Sequence, residues 1–194
     1  MSNKIEMKLT DGFVQRVAVY GSDETFFKVS RVCTGHGFED KPDDESHLAD
    51  FIDNLYKRKH MRPFEFAGIV FGIRCPIYVE RQLRTYRKPD VERSLRFCEP
   101  IEVCQSNKND LPPVFLEYLD LREKGFKKED ARRVLPLCTL TEVVSYYSIR
   151  SLFHVFDERL APAAQAETRE YAEALYTLAK ESFRITFDVY DLHR

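Results

Sequence analysis

Residues 80–97, E-R-Q-L-R-T-Y-R-K-P-D-V-E-R-S-L-R-F, concentrate arginine side chains and one lysine around Glu92 and Ser94. Like charges this close repel one another, so a folded protein keeps them together where phosphates, carboxylates or solvent neutralise the field. A guanidinium group holds its charge at any physiological pH and binds a phosphate through two parallel hydrogen bonds. The segment therefore indicates an anion-binding site, although such a run taken alone is more often a solvated helix end.

Two further segments supply arginines of the same kind. Arg132 and Arg133 precede V-L-P, and Arg150 and Arg159 flank His154. Arg150 and His154 are four residues apart, so they share one face of a helix. Aromatic residues lie among these cations, and a mixture of rings and phosphate-binding groups is typical of a nucleotide site.

Composition argues against several other classes of protein. The 194 residues carry a net charge of -2, so the global basic field that nucleic-acid binding usually needs is missing. No cysteine pair has C-x-x-C spacing, and we expect no metal site. The first residues lack the apolar core of a signal peptide, and no apolar run approaches the roughly 20 residues of a membrane span. We expect a cytoplasmic protein without nucleic-acid or membrane partners.

Hydrophobic periodicity predicts one α+β domain over residues 1–194. Strands are predicted over residues 12–20 and 64–74. Thr139 and Glu142 form a capping-box pattern for a helix over residues 140–158. The other predicted helices begin at Ser22, Ser46, Pro76, Asp110, Lys127 and Pro162.

The chain resembles the flavin-dependent thymidylate synthases, the alternative thymidylate synthase family, over nearly its whole length. The matching segments are His60-x-x-Pro-Phe-Glu, Pro76-Ile-x-Val-x-Arg-Gln, Arg132-x-Val-Leu-Pro-Leu, Arg150-Ser-Leu and Arg159-x-x-x-Ala-x-Gln. The family signature, Arg-His-Arg followed by seven residues and Ser, is altered here. Residues 85–87, Thr-Tyr-Arg, fall at Arg-His-Arg and are followed by six residues, Ser94 and Arg96. A one-residue deletion explains this register, whereas an ungapped register places Arg84 at the first Arg, and the sequence leaves both open.

The resemblance implies an antiparallel β-sheet packed with several helices, the thymidylate synthase-complementing-protein-like fold. It also implies a homotetramer in which several chains build each site. The residues implied to face FAD are His60, Tyr86, Arg87, Lys88, Ser148, Arg150 and His154. Those implied to hold the nucleotide are Gln82, Glu92, Ser94, Arg96, Arg132 and Arg159, with Glu92 and Arg159 as the catalytic pair.

The implied reaction is C5-methylation of a uridine monophosphate. Methylenetetrahydrofolate supplies the carbon, and FAD reduced by NADPH supplies a hydride. Ser94 has no obvious base beside it, so we expect a hydrogen-bonding role rather than covalent catalysis.

Departures from the family leave the substrate and the turnover open. Ser148 and His154 stand at usual Asn positions and Ala163 at a usual His, which fits relaxed sugar selectivity. The substrate is therefore UMP or dUMP, and the chain resembles divergent UMP methylases of nucleoside-antibiotic pathways. The alternative hypotheses are a non-catalytic flavin- or nucleotide-binding homologue and, less favoured, an RNA-binding module.

Overall fold

The structure is a computed structural model that describes residues 5–37, 39–100 and 112–194. Its strands in these ranges are β1 (Ile5–Leu9), β2 (Gly12–Tyr20), β3 (Gly68–Pro76), β4 (Asp90–Glu92) and β5 (Leu140–Ser148). They form one antiparallel sheet in the order β1-β2-β3-β5-β4. The predicted α+β class with an antiparallel sheet is confirmed, and β1 is a strand that the sequence analysis missed.

Helices in the described ranges pack mainly against one face of this sheet. They are α1 (Asp23–Arg31), α2 (Glu45–Lys57), α3 (Ile77–Leu83), α4 (Pro113–Glu123), α5 (Lys128–Ala131), α6 (Ile149–Arg159), α7 (Ala166–Ser182) and α8 (Arg184–His193). Short 3-10 turns occupy Val32–Thr34, Arg62–Glu65 and Arg132–Val134. None of the helices in these ranges is long and apolar enough to cross a bilayer.

Aromatic side chains fill the layer between the sheet and the helices. The ring of Phe153 on α6 stacks on Tyr190 of α8 with centroids 5.1 Å apart, and it meets Phe64 and Tyr56 edge-on. All four side chains are buried. Offset and edge-on ring pairs of this kind stabilise a core beyond the area they bury, so α6 is anchored firmly beneath its exposed side.

The opposite face of the sheet carries an exposed apolar patch. Val144 on β5 pairs with Val91 on β4, and these side chains are 48 and 76% exposed. Tyr20, 57% exposed, contacts the ring of Tyr146 on the same face. A contiguous exposed apolar patch of this kind is characteristic of a surface that another protein covers.

The register between β3 and β5 determines where α6 begins. The pairing runs from Pro76 opposite Leu140 to Gly68 opposite Ser148, and Ser148 is the N-cap of α6. A Cβ atom on Gly68 would lie 2.2 Å from the Tyr147 carbonyl oxygen, so this close approach requires glycine. The next residue, Ile149, donates its backbone N–H to the Ala67 carbonyl at 3.0 Å.

The predicted helix over residues 140–158 is wrong in its first half. Residues Leu140–Ser148 form β5, and only Ile149–Arg159 is helical. The alternation of buried and less buried residues and the β-branched side chains favour a strand here. Glu142 is therefore not part of a capping box, and its carboxylate instead binds Arg74 at 2.7 Å and Arg93 at 3.2 Å.

Several other predicted boundaries shift. Ser22 is the N-cap of α1 as predicted, but Asp44 rather than Ser46 caps α2, because its Oδ1 accepts the His47 N–H at 2.8 Å. The predicted strand over residues 64–74 begins only at Gly68. The predicted helix from Lys127 divides into α5 and a 3-10 turn, and the helix predicted from Pro162 begins at Ala166 and is followed by α8. Asp110, the predicted cap of α4, lies outside the described residues.

Replacing Glu142 with Gln removes the carboxylate that joins β5 to Arg74 and Arg93. Because the Arg74 and Glu142 side chains are 32 and 35% exposed, we expect a loss of about 1 kcal/mol or less in the free energy of unfolding at neutral pH. Hydrogen bonding from Arg74 is the main cause of a lowered Glu142 pKa. This stabilisation is present above the ordinary Glu pKa, about 4.3, and is lost as pH falls through the lower folded-state pKa.

Urea denaturation of wild type and E142Q at a series of pH values measures this effect. Glu173→Gln, at an exposed position of α7, is the matched control. A stability difference between E142Q and wild type that persists unchanged into acid would contradict the assigned pairing.

Candidate functional site

A shallow groove follows the exposed side of α6. Its middle part, about 690 Å³, contains Ser148 and Arg150. A cleft of about 430 Å³ at the C-terminal end of α6 shares Arg87 and Ser151 with this part. A third cleft, about 460 Å³, shares Arg150 with it and reaches His60. Because neighbouring clefts share lining residues, the three lie side by side along α6, and we call them together the α6 groove.

The structure places all seven residues that were predicted to face FAD along the α6 groove. They come from the end of α2, the segment after α3, and the N-terminal half of α6. His60 lines the third cleft. The C-terminal cleft contains Tyr86, Arg87 and His154, and the middle part contains Lys88, Ser148 and Arg150. Their role toward a flavin stays a prediction.

The C-terminal cleft contains a compact cluster around Arg159. The Tyr86 hydroxyl donates to Glu158 Oε2 at 2.7 Å, and Arg159 Nη2 lies 3.4 Å from the same oxygen and 3.4 Å from Thr85 Oγ1. The guanidinium carbon lies 5.5 Å from the centroid of the Tyr86 ring. Burial and the hydrogen bond to Glu158 raise the pKa of Tyr86, so its hydroxyl stays protonated.

The middle part of the groove surrounds the N-terminus of α6. The Ser148 hydroxyl accepts the Ser151 N–H at 3.1 Å, and Arg150 pairs with Glu65 at 2.5 Å. The positive end of the helix dipole and the exposed Arg87 face the same space. This arrangement suits a phosphate group, because a helix N-terminus with nearby guanidinium groups binds anions.

Lys88 belongs to the lining of the middle part, but its side chain is buried beneath the groove surface. Its side chain is 2% exposed, and its ammonium group donates to Asp90 Oδ2 at 2.9 Å and to Ser145 Oγ at 3.0 Å. The same group lies 5.2 Å from the centroid of the Tyr147 ring. The hydrogen bond from Lys88 lowers the pKa of Asp90, so the two residues form an internal ion pair that supports the groove wall.

A second internal ion-pair network holds Glu92. Arg84 binds Glu80 and Glu92, each at 2.6 Å, and the other Glu92 oxygen accepts the Thr141 hydroxyl at 3.0 Å. Burial raises the pKa of Glu80 despite this pairing. Arg84 is thus held by two carboxylates although its side chain is 46% exposed, and its neighbour Thr85 lines the groove.

The predicted nucleotide-binding residues form two separate groups in one chain. Gln82 belongs with Arg159, because its carbonyl accepts the hydroxyl of Thr85, the residue that Arg159 contacts. Arg96 pairs with Glu129 on α5 at 2.9 Å, and Ser94 and Arg132 lie in the adjoining loop and directly after α5. Glu92, which binds Arg84 and Thr141, is assigned to neither group. Within the described ranges no hydrogen bond or ion pair links the two groups.

Several groove residues were not among the predicted site residues, and three of them have polar side chains in the C-terminal cleft. Thr85 stands in the altered signature, and Ser151 lies in a matching segment. Glu158 is four residues after His154 and eight after Arg150. Positions four apart share a helix face, so this spacing is a signal that could have found Glu158.

Fold and groove together define an α+β protein with a groove lined by basic and aromatic side chains. Residues 17–183 match the family model of the thymidylate synthase complementing protein, and the chain belongs to that family. A flavin-dependent thymidylate synthase of Thermus thermophilus is 30% identical, over 95% of this chain and 77% of the relative. That of Thermosipho melanesiensis is 28% identical, over 95% of this chain and 93% of the relative.

A solved structure has the same fold. The UMP/dUMP methylase PolB from Streptomyces cacaoi, bound with 5-Br dUMP, superposes with a TM-score of 0.82 at 23% identity, over 94% of this chain and 95% of that one. The predicted family is confirmed, and with it the enzyme class that family membership carries, a flavin-dependent methyltransferase. The described residues contain no group of three side chains that could hold a metal ion.

Lys88→Met and Arg87→Met separate support of the groove from ligand binding. We expect Lys88→Met to lower the free energy of unfolding by about 1 to 3 kcal/mol, because it leaves the Asp90 carboxylate without its nearest cation. Arg87→Met alters an exposed side chain and should cost about 0.5 kcal/mol or less, while weakening FAD binding. Urea denaturation of the apoprotein and FAD titration by flavin fluorescence measure the two effects. Equal losses of stability in the two variants would contradict this division.

Proposed function

We propose that this protein catalyses reductive C5-methylation of a uridine monophosphate. FAD, NADPH and methylenetetrahydrofolate serve as the hydride carrier, reductant and carbon donor. The observation that carries the proposal is the α6 groove, which gathers the seven predicted flavin residues beside Arg159. Family membership supports the same chemistry.

The groove residues fit a flavin dinucleotide. The N-terminus of α6, Arg150 and Arg87 supply donors for its phosphates, and the half-buried Tyr86 ring supplies an aromatic surface. His60 and His154 would complete the two ends of the site. FAD when bound supplies the hydride, while these residues orient it and limit the access of water.

The two arginine groups fit a uridylate. Guanidinium groups bind the 5′-phosphate bidentately and stabilise negative charge that develops on a uracil carbonyl oxygen. Ser94 Oγ accepts the Arg96 N–H at 3.3 Å, and no basic side chain is bonded to it among the described residues. Ser94 therefore binds the nucleotide by hydrogen bonding, in keeping with the predicted non-covalent role.

We further infer that the site is shared between copies of the chain in a homotetramer. One chain holds the group of Gln82 and Arg159 apart from the group of Ser94, Arg96 and Arg132. A second copy could bring its Arg96 group to this chain's Arg159 group. The exposed apolar face of the sheet is a surface on which such copies could pack.

An anaerobic assay tests the proposed reaction directly. Purified protein with FAD, NADPH and methylenetetrahydrofolate is offered UMP and dUMP separately, and the C5-methylated product is detected by mass. We expect methylation of at least one nucleotide, and the ratio of the two rates identifies the natural sugar. Uridylate binding without methylation of either nucleotide would refute the proposed reaction and support the non-catalytic homologue.

A further inference from the structure

Glu158 brings a carboxylate into an otherwise cationic part of the α6 groove. Its side chain is 60% exposed, and its Oε2 accepts the Tyr86 hydroxyl at 2.7 Å while lying 3.4 Å from Arg159 Nη2. A negative charge beside an anion site repels the anion and weakens its binding. The contacts of Glu158 Oε2 indicate what this carboxylate does instead.

Glu158 Oε2 joins two residues that belong to different elements. Consecutive residues on a helix do not face each other, yet Glu158 and Arg159 converge on one point because Tyr86 reaches across from the segment after α3. Among the described residues, the Arg159 side chain has polar contacts of 3.4 Å to Thr85 and 3.4 Å to Glu158 and lies beside the Tyr86 ring. Its direction therefore depends on where the Tyr86–Glu158 pair holds it.

The guanidinium group of Arg159 keeps donors unused. Its Nε is buried and has no hydrogen-bond partner among the described residues. Burying a donor without a hydrogen-bond partner destabilises the fold, so such a group calls for an explanation. A ligand oxygen that accepts a hydrogen bond from this guanidinium group explains the unpaired donor.

We propose that Glu158 is a positioning residue whose Oε2 ties the Tyr86 hydroxyl to Arg159 and so directs the guanidinium group at the bound uridylate. This proposal rests on the proposed function, since it takes the uridylate as the ligand of Arg159. The carboxylate touches the arginine rather than the nucleotide, so its effect is on affinity through Arg159.

Substitutions of Glu158 and Tyr86 test this role. We expect Glu158→Ala to raise the uridylate Kd of the FAD-loaded protein about three- to fivefold, as for an exposed charged pair. Glu158→Gln should lose less, because its amide oxygen still accepts the Tyr86 hydroxyl. Tyr86→Phe removes that hydroxyl, and its effect should not add to that of Glu158→Ala, because the two residues act as one unit. Glu173→Gln, which removes an exposed carboxylate of α7, should leave the Kd unchanged.

Comparing Tm with the uridylate Kd distinguishes a positioning role of Glu158 from a structural one. Because Glu158 is largely exposed, Tm should stay close to wild type in both Glu158 variants while the uridylate Kd rises. If wild type binds uridylate and both variants bind it equally well, or if the Kd rises only in step with a loss of Tm, the positioning role is wrong. If wild type itself binds neither UMP nor dUMP, the proposed function fails, and this inference fails with it.

Discussion

The pairing of β3 with β5 is the constraint on which the rest of the site depends. Its register carries β5 to Ser148, where Gly68 allows the strands to approach closely and the backbone turns into α6. The starting point of α6 at Ser148 fixes where each groove residue on this helix lies. The aromatic core behind Phe153 then prevents the helix from rotating. A shift of one residue in this register would turn the core-facing side chains of β5 to the opposite face of the sheet.

Charged residues near the groove divide into two layers with different tasks. The buried Lys88 is paired with Asp90, and the partly exposed Arg84 is paired with Glu80 and Glu92, so both cations already have carboxylate partners within the chain. The exposed Arg87 lies above them, where a ligand can reach it. Leaving a buried cation such as Lys88 without its partner would destabilise the fold. The paired cations are therefore not available to a phosphate, whereas the exposed Arg87 is. A segment dense in basic residues, such as residues 80–97, can thus contribute both to the stability of the fold and to ligand binding.

The family resemblance was enough to name most of the polar groove residues but not to arrange them. Family resemblance identified His60 and the residues of α6, because their motifs are local. It did not reveal that Lys88 points inward, since burial depends on strands far apart in the chain. The misassigned first half of residues 140–158 has a physical reason: Thr139 and Glu142 match a capping box, while β-branched residues between them and Ser148 fit a sheet. The separation of Arg96 from Arg159 needed the tertiary structure.

The central claim is that two arginine groups from different copies of the chain complete one uridylate site. The most direct test mixes Arg96→Ala and Arg159→Ala chains by co-refolding and measures methyl transfer to the preferred nucleotide. Each variant alone should lose most activity, because each lacks one charged hydrogen bond worth about 1.5 to 3 kcal/mol. The mixture should recover activity in about a quarter of the sites, those that combine an intact Arg96 with an intact Arg159 from two chains. A mixture no more active than the two variants alone would show that both arginines serve the same site from one chain.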